Sequence, residues 1–298
     1  MPRSVQDPGR FRAEQRMRSV AAIRRLGRPL KRRYQNARDE HRLGQLARFD
    51  EAGARLAAVI RLSRSGKRGS AREAIDAIER ERDKLLARHE PLISGEIGRG
   101  GIYDKDVTIE AACRVSKDAS DAVLLHLLVA AFEPRVALEL GTNVGISSAY
   151  QAAALAHSGP GRLVTLESSP YRQRIAREMH ARLGLLNVDY RMGLFTESLA
   201  PALNEFDPVD YAFIDGDHQY QPTLDYFDAI WSHSAEGAVF VFDDIRWSEG
   251  MTRAWKEIRH DPRLTVVADL NSMGVCLGTR QPPAPRRLVT GPIMHHRR

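Results

Sequence analysis

The sequence predicts an α/β fold in which a seven-stranded, mostly parallel sheet carries helices on both faces, preceded by an all-helical N-terminal region. Three observations point there. Beyond about residue 100, short apolar runs alternate with helix-like stretches, as the strands and crossover helices of a parallel sheet do. Those runs are rich in Val, Leu, Phe and Ile without polar alternation, which is expected where both faces of a sheet are covered. Ahead of them, apolar residues recur at steps of three and four with little β signal, the mark of amphipathic helices.

Taken in order, the N-terminal helices run from Phe11 to about His89, with Val20, Ile23 and Leu26, then Leu43, Leu46 and Phe49, then Leu56, Val59, Ile60 and Leu62 as apolar faces. Pro29 interrupts the first, and SRSGKRGS, Ser63 to Ser70, is a turn before a last helix from about Ala71 to His89. Pro91 and the glycines from Ser94 to Tyr103 mark a boundary. The strand candidates that follow are RVALEL, RLVTLE, VDYRM, DYAFID, GAVFVFDD, LTVVADL and GVCLG. Helix-like stretches lie at Ser147 to His157, Pro170 to Leu183, Gln219 to Ser234 and Glu249 to Arg259. The chain therefore divides into a helical region over 1–99, an α/β domain over 100–280, and a loose Pro- and Arg-rich tail over 281–298.

Composition narrows the functional classes. The 298 residues carry a net charge of +7, but residues 1–99 hold 25 Lys/Arg against 13 Asp/Glu, so the α/β body is mildly acidic. A body of that charge suits a small-molecule site. The basic arm suits nucleic acid, an anionic surface or acidic patches on another subunit. No run approaches the roughly 18 apolar residues of a membrane span and the N-terminus lacks a secretory apolar core, so a soluble cytoplasmic protein is expected. Cys113 and Cys276 stand far apart, which indicates neither a disulfide framework nor a thiolate zinc site.

The first strand ends in Glu139-Leu140-Gly141-Thr142-Asn143-Val144-Gly145-Ile146-Ser147 and leads straight into a helix. In a Rossmann-like open sheet the ligand crevice lies beyond the carboxyl ends of the strands, and glycines there let backbone amides approach a ligand. The spacing G-x-x-x-G lacks the third glycine of pyrophosphate-binding turns, which argues against a dinucleotide. One strand later LVTLESSP places Glu167 where a carboxylate can accept bonds from two ribose hydroxyls. A nucleoside-type cofactor without a pyrophosphate is the reading these residues favour; an exposed strand-end acid is the bland one.

The fourth strand ends in Asp215-Gly216-Asp217-His218 and the fifth in Asp243-Asp244, both toward the same crevice. Adjacent parallel strands lie about 4.8 Å apart, so these carboxylates can converge on a hard cation such as Mg²⁺, which would supply the counter-charge they otherwise lack. Solvated loop acids, or Asp215 touching the cofactor without metal, are the alternatives.

ELGTNVGIS followed by LVTLES resembles the class I S-adenosylmethionine-dependent methyltransferases, particularly the catechol O-methyltransferase type, over roughly Ser116 to Gly278. The resemblance implies that Glu139 and the turn of Gly141, Thr142, Asn143 and Gly145 surround the methionine part of S-adenosylmethionine, that Ser147 binds its carboxylate, and that Glu167 holds the ribose. It places Asp215, Asp243 and Asp244 at the ligand positions of a divalent cation. His218 stands where the catechol type has its catalytic Lys, an arrangement similar to the metal-dependent macrolide-sugar enzymes and to a bacterial group with the string DGDHxY, here DGDHQY. After the third strand Gly193 is followed by Leu194 and Phe195 rather than by Asp or Ser, so adenine recognition departs from the family pattern, with Phe195 either a packing surface or core.

The function that follows is O-methylation of a small-molecule hydroxyl, of a sugar or a vicinal diol or phenol, with His218 as general base and Asp215 beside it. Three competitors stand beside it: a metal-independent or nucleic-acid-directed methyltransferase gripping phosphates through residues 1–99, an assembly device in which the N-terminal helices build a homo-oligomer, and, most distantly, a dehydrogenase. No NPPY-like string or aromatic-basic interleaving supports the nucleic-acid reading. His126, His157, His180, His233 and His260 are read as structural, and Trp247 as packing or as a wall of the acceptor pocket.

Overall fold

A computed structural model describes residues 33–92, 96–97, 103–104, 107–206, 208–282 and 286–294. The apolar steps at Val20, Ile23 and Leu26, the interruption at Pro29 and most of the glycine boundary from Ser94 to Tyr103 lie outside them. Helix α1 spans 33–49, α2 Glu51–Ser65 and α3 Arg72–Leu86, the last two separated by a turn as SRSGKRGS predicts. A two-residue antiparallel pair, β1 (Glu96–Ile97) and β2 (Tyr103–Asp104), and a short helix α4 (Ile109–Arg114) follow. Then comes α5 (Ala119–Phe132), which the periodicity does not announce. Its N-terminus is set by Asp118, whose carboxylate accepts the backbone N–H groups of Ser120 and Asp121, both at 2.9 Å.

The sheet proper contains all seven predicted runs: β3 (Val136–Leu140), β4 (Arg162–Glu167), β5 (Val188–Met192), β6 (Val209–Ile214), β7 (Ser234–Phe242), β8 (Leu264–Asp269) and β9 (Gly274–Gly278). Helices α6 (Ile146–Ser158), α7 (Pro170–Arg182), α8 (Phe195–Glu205), α9 (Tyr220–Ser232) and α10 (Glu249–Ile258) connect them, with Pro170 opening α7 at a position where its missing N–H costs nothing. The order is β10-β8-β9-β7-β6-β3-β4-β5, parallel throughout except for β9, which runs antiparallel to both neighbours. The added strand β10 (Leu288–Val289) belongs to the tail expected to be loose: it pairs with β8, and Ile293 beyond it is fully buried.

Alternate residues of each strand enter separate cores. Ala137, Leu163, Tyr211, Phe213 and Val241 face α5, α6 and the N-terminal helices, while Leu138, Leu140, Leu166, Ile214 and Phe242 face α8, α9 and α10. Burial on both faces is why these strands read as continuous apolar runs. Leu43, Leu46, Leu56 and Ile60 pack into the first of these cores, and Ile75, Ile78 and Leu85 into a third around Tyr150 and Met179. Among the described residues, the apolar positions Leu43, Leu46, Leu56, Val59 and Ile60 are thus spent against the chain's own domain. Both cysteines are free and buried, and among the described residues no helix is long and apolar enough to cross a membrane.

Candidate functional site

The sheet register brings the predicted residues to one level. Leu140 pairs with Leu166 on one side and Ile214 on the other, and Ile214 pairs with Phe242. The ladder continues one step past the strands: Gly141 N–H donates to Leu166 C=O, Asp215 N–H to Leu140 C=O and Asp243 N–H to Ile214 C=O, each at 3.0 Å. Gly141, Glu167, Asp215 and Asp243 therefore stand along the same sheet edge. Above it opens a cleft of about 660 Å³, lined by Gly141, Asn143, Ser147, Glu167, Asp215, His218, Asp243 and Asp244 among others. This is the crevice at the carboxyl ends of the strands where open α/β sheets bind ligands.

On the glycine side the backbone does most of the positioning. Gly141 has φ of 102°, a conformation that glycine alone takes without strain, and a Cβ there would lie 2.2 Å from the Asp215 carbonyl oxygen. Glu167 is aimed by two backbone amides, from Asn143 at 2.8 Å and Ser169 at 2.9 Å. Asn143, itself at φ 48°, is held by its side-chain amide, which donates to Ala112 C=O at 2.8 Å, so α4 braces the turn. Ser147 sits in the first turn of α6, where the unpaired amides and the helix dipole favour an anion.

Four predicted cofactor residues stand behind the cleft surface. Glu139 is fully buried and accepts bonds from Ser148, from Thr165 at 2.6 Å and from Gln151 at 2.7 Å, while burial raises its pKa. Thr142 faces inward to Thr165, and Gly145 packs on Ala176 and His180. Gly193, at φ 131°, turns the chain out of β5 so that Leu194 and Phe195 line the cleft instead. Phe195 lies on the backbone of Gly216, where a Cβ would meet its ring at 2.3 Å, and stacks edge-on to Tyr226 at 5.6 Å.

The acid side is built from side chains. His218 Nε2 lies 3.5 Å from Asp215 Oδ1 and 3.9 Å from Asp244 Oδ2. Asp217, His218 and Asp244 all have positive φ, at 64°, 37° and 48°, a strain of roughly 1–3 kcal/mol each that tends to collect at functional sites. The surroundings hold this loop: Tyr226 O–H donates to Asp217 at 2.7 Å, and Ser248, the N-cap of α10, donates to His218 C=O at 3.1 Å. Burial, with repulsion from neighbouring acids, pushes the carboxyls of Asp215 and Asp243 above their ordinary range, and Lys117 opposes this.

Lys117 is the residue that sequence reasoning missed. Its ammonium contacts Asp243 Oδ2 and lies 3.9 Å from Asp244 Oδ1, with the side chain only 12% exposed and that of Asp243 fully buried. The acids expected to lack a counter-charge have one. The signal was SKDAS, in which an N-capping Asp118 directly follows the lysine and fixes where it points from, but nothing in the string says which strand end it meets.

Comparisons with known proteins agree with this geometry. Residues 138–245 match the family model described as a methyltransferase domain. A catechol O-methyltransferase of Niastella koreensis is 32% identical over 133 residues, 44% of this chain and 58% of that protein. One from Mycobacterium tuberculosis is 33% identical over 134 residues, again 44% and 58%. The matched part thus spans well under two thirds of these relatives. Among solved structures, cofactor-bound Rv0187 from MTB superposes with a TM-score of 0.53 at 22% identity, over 70% of this chain and 91% of that one, a likeness of fold. With its sheet order, its glycine turn and the match over residues 138–245, this part of the chain is similar to the class I S-adenosylmethionine-dependent methyltransferases.

Proposed function

We propose that the protein transfers the methyl group of S-adenosylmethionine to a hydroxyl oxygen of a small molecule, with His218 as general base. The observation that carries this is the His218 imidazole, bracketed by Asp215 and Asp244 on the same cleft that Glu167 and the glycine turn line. Glu167 accepts the ribose hydroxyls, the α6 N-terminus with Ser147 takes the methionine carboxylate, and Phe195 gives the adenine an apolar wall. The acceptor O–H passes its proton to His218 Nε2 as an oxygen lone pair attacks the methyl carbon. The C–S pair returns to sulfur and neutralises the sulfonium, and the two carboxylates stabilise the imidazolium that forms.

The same acids are the expected Mg²⁺ ligands, and their fit to that ion is poor. An ammonium already stands against Asp243 and near Asp244, and among the described residues no three His, Cys, Asp or Glu side chains are grouped as metal ligands. No step is therefore assigned to a divalent ion. In this reading α4 braces the turn by holding Asn143, and among the described residues Leu43, Leu46, Leu56, Val59 and Ile60 of the N-terminal helices are covered within the chain.

Calorimetry with S-adenosylhomocysteine and transfer of labelled methyl to a panel of hydroxylated acceptors test the proposal. Substituting His218→Ala is expected to lower turnover by about 10²–10⁴-fold and leave S-adenosylhomocysteine affinity within about twofold. Absence of cofactor binding would remove the methyltransferase activity. Equal loss of affinity and turnover would remove His218 as base.

A further inference from the structure

We infer that Lys117 is the resident cation of the acid cluster and occupies the position that a divalent ion would otherwise take. The inference rests on the proposed reaction for its purpose, but not for its geometry. Two carboxylates, Asp215 and Asp244, flank one imidazole at the sheet edge and a third, the buried Asp243, stands beside them, and an uncompensated group of that kind is unstable out of water. Lys117 reaches it from a fixed base. Its backbone joins the end of α4 to the Asp118 cap of α5, so the side chain enters from the braced side of the cleft rather than from a solvated loop. The ammonium contacts the most deeply buried of the acids, Asp243, whose side chain has no access to solvent.

A cation delivered by the chain has consequences that a borrowed one lacks. It is present at all ion concentrations, and its single charge on a flexible stem leaves the cluster net negative, which favours the imidazolium of His218 after proton transfer. Lys117 acts through Asp243 and Asp244 on His218, which makes it a positioning residue. Its removal should reopen the site to the ion that it displaces.

The test is Mn²⁺ binding to the full chain, followed by electron paramagnetic resonance without acceptor or methyl donor, beside methyl transfer with and without a chelator. Wild type is expected to show no saturable Mn²⁺ site and transfer unchanged by chelation. Lys117→Ala should gain a saturable Mn²⁺ site, at least about tenfold tighter than any residual binding by wild type, with turnover down about 100-fold and partly restored by the metal. Lys117→Arg keeps the charge and should exclude Mn²⁺ as wild type does. One Mn²⁺ per wild-type chain, or Lys117→Ala with wild-type Mn²⁺ affinity, overturns the inference. Should Lys117→Ala fail to fold, wild type and Lys117→Arg decide alone, by binding Mn²⁺ or not. Because these readings need no methyl transfer, they stand apart from the fate of the proposed reaction.

Discussion

The two halves of the cleft are built differently. The half around the glycine turn uses backbone: Gly141 and Gly145 set its path, amides of Asn143 and Ser169 aim Glu167, and nearly everything comes from 139–147 and its neighbouring strand. The half around His218 uses side chains gathered from three distant places, Lys117, Asp215 to His218, and Asp243 to Ser248. In the proposed reading the methyl donor is held largely by backbone, which survives sequence change, whereas the reaction rests on charges that must be brought together by the fold.

The largest effect should come where the halves touch. A Cβ at Gly141 would strike the Asp215 carbonyl at 2.2 Å, and φ of 102° strains any residue with a side chain. Gly141→Ala is expected to cost about 3 kcal/mol or more of stability, together with loss of S-adenosylhomocysteine binding, read by thermal unfolding and calorimetry. A stable variant that binds the cofactor normally would mean that the glycine turn and the acid-bearing strand end are not rigidly joined.

What could be read in the sequence follows the same division. The glycine turn and Glu167 were legible because their spacing along the chain is their spacing in space. Each of the seven predicted runs contains a strand, and all but the edge strand VDYRM are buried on both faces, whereas α5 was not marked: it is buried on nearly every side, from Asp121 to His126 and at Leu128 and Val129, so no stripe at helical period stands out. Helix α8 lacks a side-chain N-cap and contains Pro201, and β10 is two residues long, too short to show a period. Lys117 was illegible for a stronger reason. An isolated lysine is ordinarily a solvated one, and only the tertiary fold places it against Asp243.

A mid-sized effect separates the halves by pH. His180 is almost wholly buried; its Nε2–H donates to Gly145 C=O at 2.8 Å while Nδ1 accepts from Tyr190 O–H at 2.7 Å, and burial depresses its pKa to about 4. Depression means that the unfolded chain takes up a proton first as pH falls. The stability His180 contributes is complete above its unfolded pKa of about 6.5 and is lost as pH falls toward its folded pKa, about 3 kcal/mol over that window. Unfolding by denaturant between pH 7.5 and 4.5 should show this slope, and His180→Gln should flatten it. An unchanged slope would place the acid sensitivity elsewhere, outside the support of the glycine turn.

The smallest effect is the sharpest probe of the division. Tyr226 O–H donates to Asp217 at 2.7 Å and so steadies the two residues of positive φ that carry His218, while its ring packs edge-on against Phe195. Tyr226→Phe keeps the ring and removes only the hydroxyl. The bond is a charge-assisted one at a partly exposed acceptor, so its loss should cost about 1 kcal/mol of stability, with turnover falling less than about tenfold as the His218 loop loosens. Affinity for S-adenosylhomocysteine should not move, because nothing in the glycine-turn half depends on that hydroxyl. Turnover and affinity measured on the same preparation decide the matter: a parallel fall in both would show that the two halves are mechanically one, and that the separation between a backbone-built glycine turn and a side-chain-built acid cluster stops at their static geometry.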